Sequence, residues 1–182
     1  KREDAWGNPV GSPWKLHCPA PSTAGTFRTL IQDDETGLSA QTNPCIVSDS
    51  QQTGRFWADI HGQSEETVGT NTIDSYFRFA RDRAFVDVCG HQGNDFQITD
   101  DFWQTINDTT ARFNKDGRFV AFPGWEWSGN TGLGGDRNVF FKNEGGIISR
   151  SSRALVEESE SATPCSETAD DLFDRISNCG HE

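Results

Sequence analysis

The sequence predicts an α/β fold preceded by a β-rich segment, and three observations carry that prediction. From Arg55 onward, strand-like apolar runs alternate with amphipathic helical runs in the order strand, helix, strand, helix, strand, which is the pattern of parallel βαβ units. Before it, proline, glycine, serine and threonine abound and helical periodicity is weak. The length, 182 residues, allows one substantial core or one domain with a piece of another. These observations divide the chain into a β-rich segment over residues 1–52, the end of a β-sandwich in this reading, and an α/β domain over 53–182.

The elements follow in order. "GTFRTLIQ" alternates into a strand, "DDETG" turns and "LSAQTNPCIVSD" returns, which together read as a β-hairpin. "RFWADI" is the first strand of the α/β domain and runs into the polar loop "HGQSEE". Thr72 is placed to cap a helix over "IDSYFRFARDR", where Ile73, Tyr76, Phe77 and Ala80 fall at helical spacing. "AFVDVCG" is a buried strand followed by the loop "HQGNDFQI". Thr99 opens a second helix, "DDFWQTINDTTARFN", with Phe102, Ile106 and Phe113 facing inward. "KDG" turns, "RFVAFPGWEWS" is a third strand, "GNTGLGGD" a glycine-rich loop and "RNVFF" a fourth strand. "TADDLFDRISN" reads as a late helix.

Charge narrows the partners. Sixteen basic residues against 28 acidic ones give a net charge of −12, which repels nucleic acid and anionic lipid surfaces. No apolar run reaches the roughly 18 residues of a spanning helix, so no membrane insertion is expected. The chain starts at Lys1 and contains no Met, which fits an initiating end removed with a secretory signal or by trimming. Five cysteines, Cys18, Cys45, Cys89, Cys165 and Cys179, lie far apart with no C-x-x-C pair, which argues against thiolate metal binding. Two disulfides plus a buried Cys89 thiol would suit a periplasmic or extracellular protein. Cys165 and Cys179 flank a helix about 15 Å long and make a poor pair, and the connectivity stays open.

In parallel α/β folds the reactive groups gather beyond the carboxyl ends of the strands. Here the strands end in His61, His91 and Glu126, a donor set suited to zinc, manganese or iron and with room left for water. Asp59, Glu65, Glu66 and Asp136 would crowd the same mouth and repel one another without a cation. A single strand-end histidine or glutamate is commonly structural; the registration of two histidines with successive strand ends is what favours a metal. The glycine-rich loop lacks the Gly-Lys-Ser/Thr ending of a phosphate cradle, and instead presents Asp136 and Arg137 toward a substrate or forms a plain surface turn. "NDT" at Asn107 matches a glycosylation acceptor but falls inside the second helix, which disfavours it.

The stretches "ADIHGQS", "DVCGHQGND", "FPGWEWSGN" and "GGDRNVFF" together resemble the motifs of the polymerase and histidinol phosphatase (PHP) metallohydrolase superfamily. They are most similar to a branch of unknown function with a β-rich segment before the PHP-like domain. The resemblance covers about Arg55 to Phe141 and implies part of a distorted (β/α)7 barrel. It further implies a hydrolase of phosphate esters with one to three divalent transition metal ions. His61 matches the first histidine of the superfamily's His-x-His motif, His91 the histidine closing the second strand and Glu126 the bridging glutamate. Gln63 stands where the second histidine is expected, and Gly90 where an aspartate commonly precedes the histidine. The set implied is His61, Gln63, His91 and Glu126 for metal, Asp59 and Asp136 for catalysis, and Arg137, Asn138 and Glu65 for a small anionic substrate. Later ligands have no clear counterpart, so a second chain or a C-terminal remainder would complete the barrel. His181 is either a late ligand or a solvated end. Other readings are hydrolysis of a different anionic or glycan-linked ester, and a non-catalytic metal-binding or structural module.

Overall fold

A computed structural model describes residues 19, 21–49, 54–129, 132, 134–157, 159, 161 and 163–180. The expected boundary at 52 and 53 lies outside the described residues, as do Cys18 and His181.

The N-terminal hairpin forms as expected, in two rungs. Strands β1 (Gly25–Phe27) and β4 (Cys45–Val47) pair antiparallel, as do β2 (Leu30–Gln32) and β3 (Ser39–Gln41). Thr29 and Thr42 bridge the rungs, each backbone N–H donating to the other residue, to Thr42 Oγ1 at 3.0 Å and to Thr29 O at 2.9 Å. The turn is an Asp turn: the Asp33 carboxylate accepts from Glu35 N and Thr36 Oγ1, and Gly37 supplies a left-handed φ of 72°. Leu30, Leu38 and Ile46 on this hairpin are exposed.

The following region is mixed α/β. Strands β5 (Ala58–Gly62), β6 (Val88–His91) and β7 (Val120–Phe122) form a three-stranded parallel sheet in that order. Two helices supply the crossovers, α1 (Ile73–Phe79) and α2 (Asp100–Phe113), and both start where their caps predict. Thr72 accepts from Ser75 N and Thr99 from Phe102 N, each satisfying one of the free donors of a first turn. The pairing sets Asp59 opposite Cys89 and Cys89 opposite Ala121, and Cys89 and Ala121 join Phe77, Ile106 and Phe113 in the buried core. Helix α1 runs on into a π-helical turn, Ala80–Ala84, closed by Phe85 at φ 54°.

One expected element is two. "RFVAFPGWEWS" breaks at Pro123, which has no N–H to continue a ladder, and the chain leaves the parallel sheet there. Its second half, β8 (Gly124–Trp127), pairs antiparallel with β9 (Arg137–Phe140), the fourth expected strand. Gly124 lies too close to its neighbours for any side chain, since a Cβ there would sit 2.2 Å from Gln92 Nε2 and 2.4 Å from Val139 O. β8 is stitched to the segment after β6 by Glu126 N donating to Gly93 O at 2.9 Å and by a parallel bridge between Asn94 and Glu126. Among the described residues the strands form four small sheets, and none closes into a barrel.

A long irregular strap after β9 covers the core. Three indole N–H groups hold it: Trp103 donates to Gly146 O at 2.8 Å, Trp125 to Ile147 O at 3.0 Å and Trp127 to Ser166 O at 2.9 Å. Arg150 is wholly buried and donates to Ile98 O, Ser161 Oγ and Asp100 Oδ1. Helix α3 (Ala169–Ser177), opened by a capping box between Thr168 and Asp171, buries Leu172 against the same core. Cys45, Cys89, Cys165 and Cys179 are free thiols, and Cys89 is the buried one, as expected. Asn107 is also structural: its amide donates to Trp103 O at 2.7 Å and accepts from Gly145 N at 2.9 Å.

Candidate metal centre

The candidate site lies where the parallel sheet ends and β8 begins. The pairing of β5 with β6 slips between Asp59 and Gly62, so that Gly62 rather than His61 lies opposite His91. Such an irregularity at a strand end re-aims the side chains beyond it. His61 Nε2 comes to 3.4 Å from Glu126 Oε2, the imidazole half exposed and the carboxylate nearly buried. That distance is long for a charge-assisted hydrogen bond, which runs about 2.7–2.9 Å. It equals the edge between two ligands of a tetrahedral ion, about 3.4 Å for bonds of roughly 2.0–2.2 Å. His61 and Glu126 therefore have the donor chemistry and the spacing of two positions on one divalent ion.

His91 has a different set of partners. Its ring is fully buried, with Phe102 and Tyr76 edge-on at 5.8 and 6.2 Å between centroids. Nδ1 accepts from Gly93 N at 3.4 Å, which places the proton on Nε2, 2.9 Å from Ser64 Oγ. Ser64, also buried, donates its own proton to Glu66 Oε2. Burial holds the His91 pKa down to about 3, so the ring is neutral across the physiological range. Both ring nitrogens are engaged. Among the described residues no three His, Cys, Asp or Glu side chains are grouped so as to hold a metal ion. The structure brings together His61 and Glu126 of the expected set and gives His91 to Ser64.

Gln63 is likewise occupied, its Oε1 accepting from Thr67 Oγ1 at 2.8 Å and from Val68 N at 3.3 Å, which shapes the loop after β5. Asp59 accepts from His61 N at 3.3 Å. It also lies within electrostatic reach of Tyr76, whose hydroxyl donates to Gly90 O and is pushed well above the usual phenol range, first by burial and then by Cys89 and Asp59. Glu65 is exposed in the loop, with its backbone N–H on Asn71 O. Asp136 is exposed, and Arg137 folds back onto the carbonyls of Gly135 and Asp136 at 3.1 and 2.9 Å. Asn138 is the cross-strand partner of Glu126 and so shares its face of the β8–β9 ribbon.

Three polar residues at the site escaped sequence reasoning: Ser64 on His91, and Asn94 and Ser128 beside Glu126. Ser64 and Asn94 lie within quoted motifs, three residues beyond His61 and His91, so position was their only signal. Two clefts of about 450 Å³ each border α3 and include none of the expected site residues.

Comparison with known proteins yields a family model, described as a protein of unknown function (DUF3604), that matches residues 21–178. An uncharacterized protein of Chlamydia pneumoniae is 29% identical over 91 residues, 49% of this chain and 15% of that protein. Uncharacterized proteins of Chlamydia trachomatis and Chlamydia muridarum are 25% and 28% identical over 122 residues, 66% of this chain and 20% of theirs. The chain thus spans a fifth or less of the length of these relatives. No solved structure matches.

Proposed function

We propose that this chain, which belongs to the DUF3604 family of proteins of unknown function, carries part of the active site of a metal-dependent hydrolase, a phosphoesterase of the PHP type that uses activated water. The observation that carries the reading is the His61–Glu126 contact, a histidine nitrogen at the carboxyl end of β5 and a carboxylate oxygen on β8, 3.4 Å apart. Zinc, manganese or iron held there would supply Lewis acidity and a water nucleophile at neutral pH.

The chain's own residues do the rest. Glu126 presents its carboxylate from a buried strand, and His61 closes on it from a half-exposed position, which leaves an approach from solvent. Asn138 shares the ribbon face of Glu126, on the substrate side in this reading. Arg137 would turn from its own loop carbonyls to an anionic group, a short movement for a flexible side chain. A chain with a net charge of −12 admits an anionic ester only where a cation offsets the repulsion, which favours the metal reading over metal-free chemistry. A second chain, or a further part of a longer polypeptide, supplies the remaining ligands and strands. In this reading the protein acts in the periplasm or outside the cell.

A second reading has an observation of its own. Both nitrogens of His91 are engaged in hydrogen bonds, and so is the Gln63 amide oxygen, which suits a non-catalytic module that has turned former ligands into struts. Elemental analysis of the gently purified protein, followed by a panel of phosphate, sulfate and carboxylate esters with added manganese or zinc, separates the two. The hydrolase reading expects bound transition metal that His61→Ala or Glu126→Gln removes, and turnover of a phosphate ester that depends on it. Absence of both metal and turnover leaves the module, and turnover of only a non-phosphate ester moves the substrate class.

A further inference from the structure

We propose that the cleft between α1, its π-helical turn and α2 is a binding site for a phosphate or sulfate group. The site uses none of the residues of the metal reading and does not depend on it. The cleft, about 180 Å³, is lined by Asp74, Arg78, Arg81, Arg112 and Phe113. At about 30 Å³ for each water it has room for roughly six, enough for one tetrahedral oxyanion.

Short distances draw three guanidinium groups into this one place. Asp74 accepts from Arg78 on Oδ2 at 2.8 Å and from Arg112 on Oδ1 at 2.6 Å. Arg81 and Arg112 lie over the Phe113 ring, 4.9 and 5.3 Å from its centroid. Phe113 is buried and stacked on Phe77, so the core fixes the surface on which they rest. Arg81 reaches it from the π-helical turn Ala80–Ala84, a rare form that occurs often at functional sites. The turn closes on Phe85 in the left-handed region, where a bulky side chain is strained, so Arg81 is presented at a conformational cost.

The three side chains keep donors in hand. Arg78 gives Nε and Nη2 to Asp74, Arg81 gives Nε and Nη2 to Asp82, and Arg112 gives Nη2 to Asp74. Nη1 of all three, and Nε of Arg112, make no hydrogen bond among the described residues. Three guanidinium charges against the carboxylates of Asp74 and Asp82 leave a positive excess, on a chain whose net charge is −12. Ion pairs this exposed add little to stability, so a ligand accounts better for the convergence. A tetrahedral dianion has an oxygen for each of the three arginines, whereas a carboxylate has only two to share.

The test follows the arginine Nε–H signals of the isotopically labelled protein by NMR, during titration with inorganic phosphate, sulfate, glycerol 3-phosphate and acetate. About 0.1 M NaCl screens charges more than about 10 Å apart. Phosphate or sulfate should shift the Arg81 and Arg112 signals saturably with a midpoint of about 1 mM or below, and acetate should bind about tenfold more weakly. Arg81→Gln and Arg112→Gln should each weaken binding by about fivefold or more, and Arg112→Lys, which keeps the charge but loses the fork, by about threefold. Arg28→Gln removes the same charge from the N-terminal hairpin and should leave the midpoint unchanged. These effects are read on variants whose circular dichroism matches the parent. Glycerol 3-phosphate binding as tightly as inorganic phosphate assigns the site to a phosphate carried on a larger molecule, and preference for the free ions assigns it to the inorganic anion. No saturable shift with about 20 mM of either dianion, or equal weakening by Arg28→Gln and Arg112→Gln, would overturn the proposal.

Discussion

The two faces of the parallel sheet are covered very differently. One face, with Cys89 and Ala121, lies under α1 and α2 and is sealed by Phe77, Ile106 and Phe113. The other carries Ile60 and Val120, 46% and 36% exposed, and a cavity of about 370 Å³ lined by Ile60, Phe122, Phe140, Phe141 and Lys142. Parallel sheets are ordinarily covered on both sides, because their crossovers place structure on each. Here the buried apolar side chains lie on the helix side, and the His61–Glu126 pair stands at the border among polar contacts.

That contrast can be broken at its strong end first. Phe77→Ala and Ile106→Ala remove fully buried side chains and should each cost about 3–5 kcal/mol, read from urea unfolding midpoints. Costs below about 1 kcal/mol would mean that the helix face is not where the stability lies. His91 sharpens the comparison through pH. Its folded pKa of about 3 lies below its ordinary 6.5, so between those values the unfolded chain takes up a proton that the folded one refuses. Its contribution is unaffected above pH 6.5 and is lost as pH falls, with a slope of about 1.4 kcal/mol per pH unit for one proton. Denaturation curves from pH 7 to 4 should show that slope, and His91→Gln should flatten it. An unchanged slope in the variant would mean that His91 is hydrated.

Smaller effects test the edges. Thr72→Ala deletes the cap of α1 and should cost about 1 kcal/mol, measured by the same unfolding curves. On the open face, Val120→Thr and Ile60→Thr should each change stability by less than about 0.5 kcal/mol. A loss of more than about 1 kcal/mol from either would show that the face is packed in solution, and the contrast would fail.

Much of the helix side was legible in the sequence because its signals are local. Thr72 and Thr99 announce their helices by capping chemistry, and Ile73, Phe77 and Ala80 fall at one spacing. Trp103 was missed as a core residue although it sits beside Phe102 in the same helix, because adjacent residues compete for one face and only packing chooses between them. The break at Pro123 was visible as a letter, but its consequence, a strand divided between two sheets, depends on where β9 returns. Of the candidate residues, strand-end position singled out His61 and Glu126, and the fold brings their side chains to 3.4 Å. The same logic could not tell that His91 would turn to Ser64, because a histidine's orientation is set by neighbours distant in sequence. Asn94 was hidden for a related reason: asparagine is common in loops, and nothing in "HQGND" says which way its amide points.

The three indoles that hold the strap also make the molecule readable by light. Trp103, Trp125 and Trp127 are buried and bonded to strap carbonyls, whereas Trp57 stands 74% exposed. Release of the strap would wet all three buried rings together and shift their emission to the red, without any unpairing of the parallel sheet. Iodide would quench Trp57 from the start and reach the three strap-bound rings only after that release. The red shift of these three rings therefore follows detachment of the strap, while far-ultraviolet circular dichroism follows the helices and sheets, and a gap between the two transitions would measure how far the strap opens ahead of the fold.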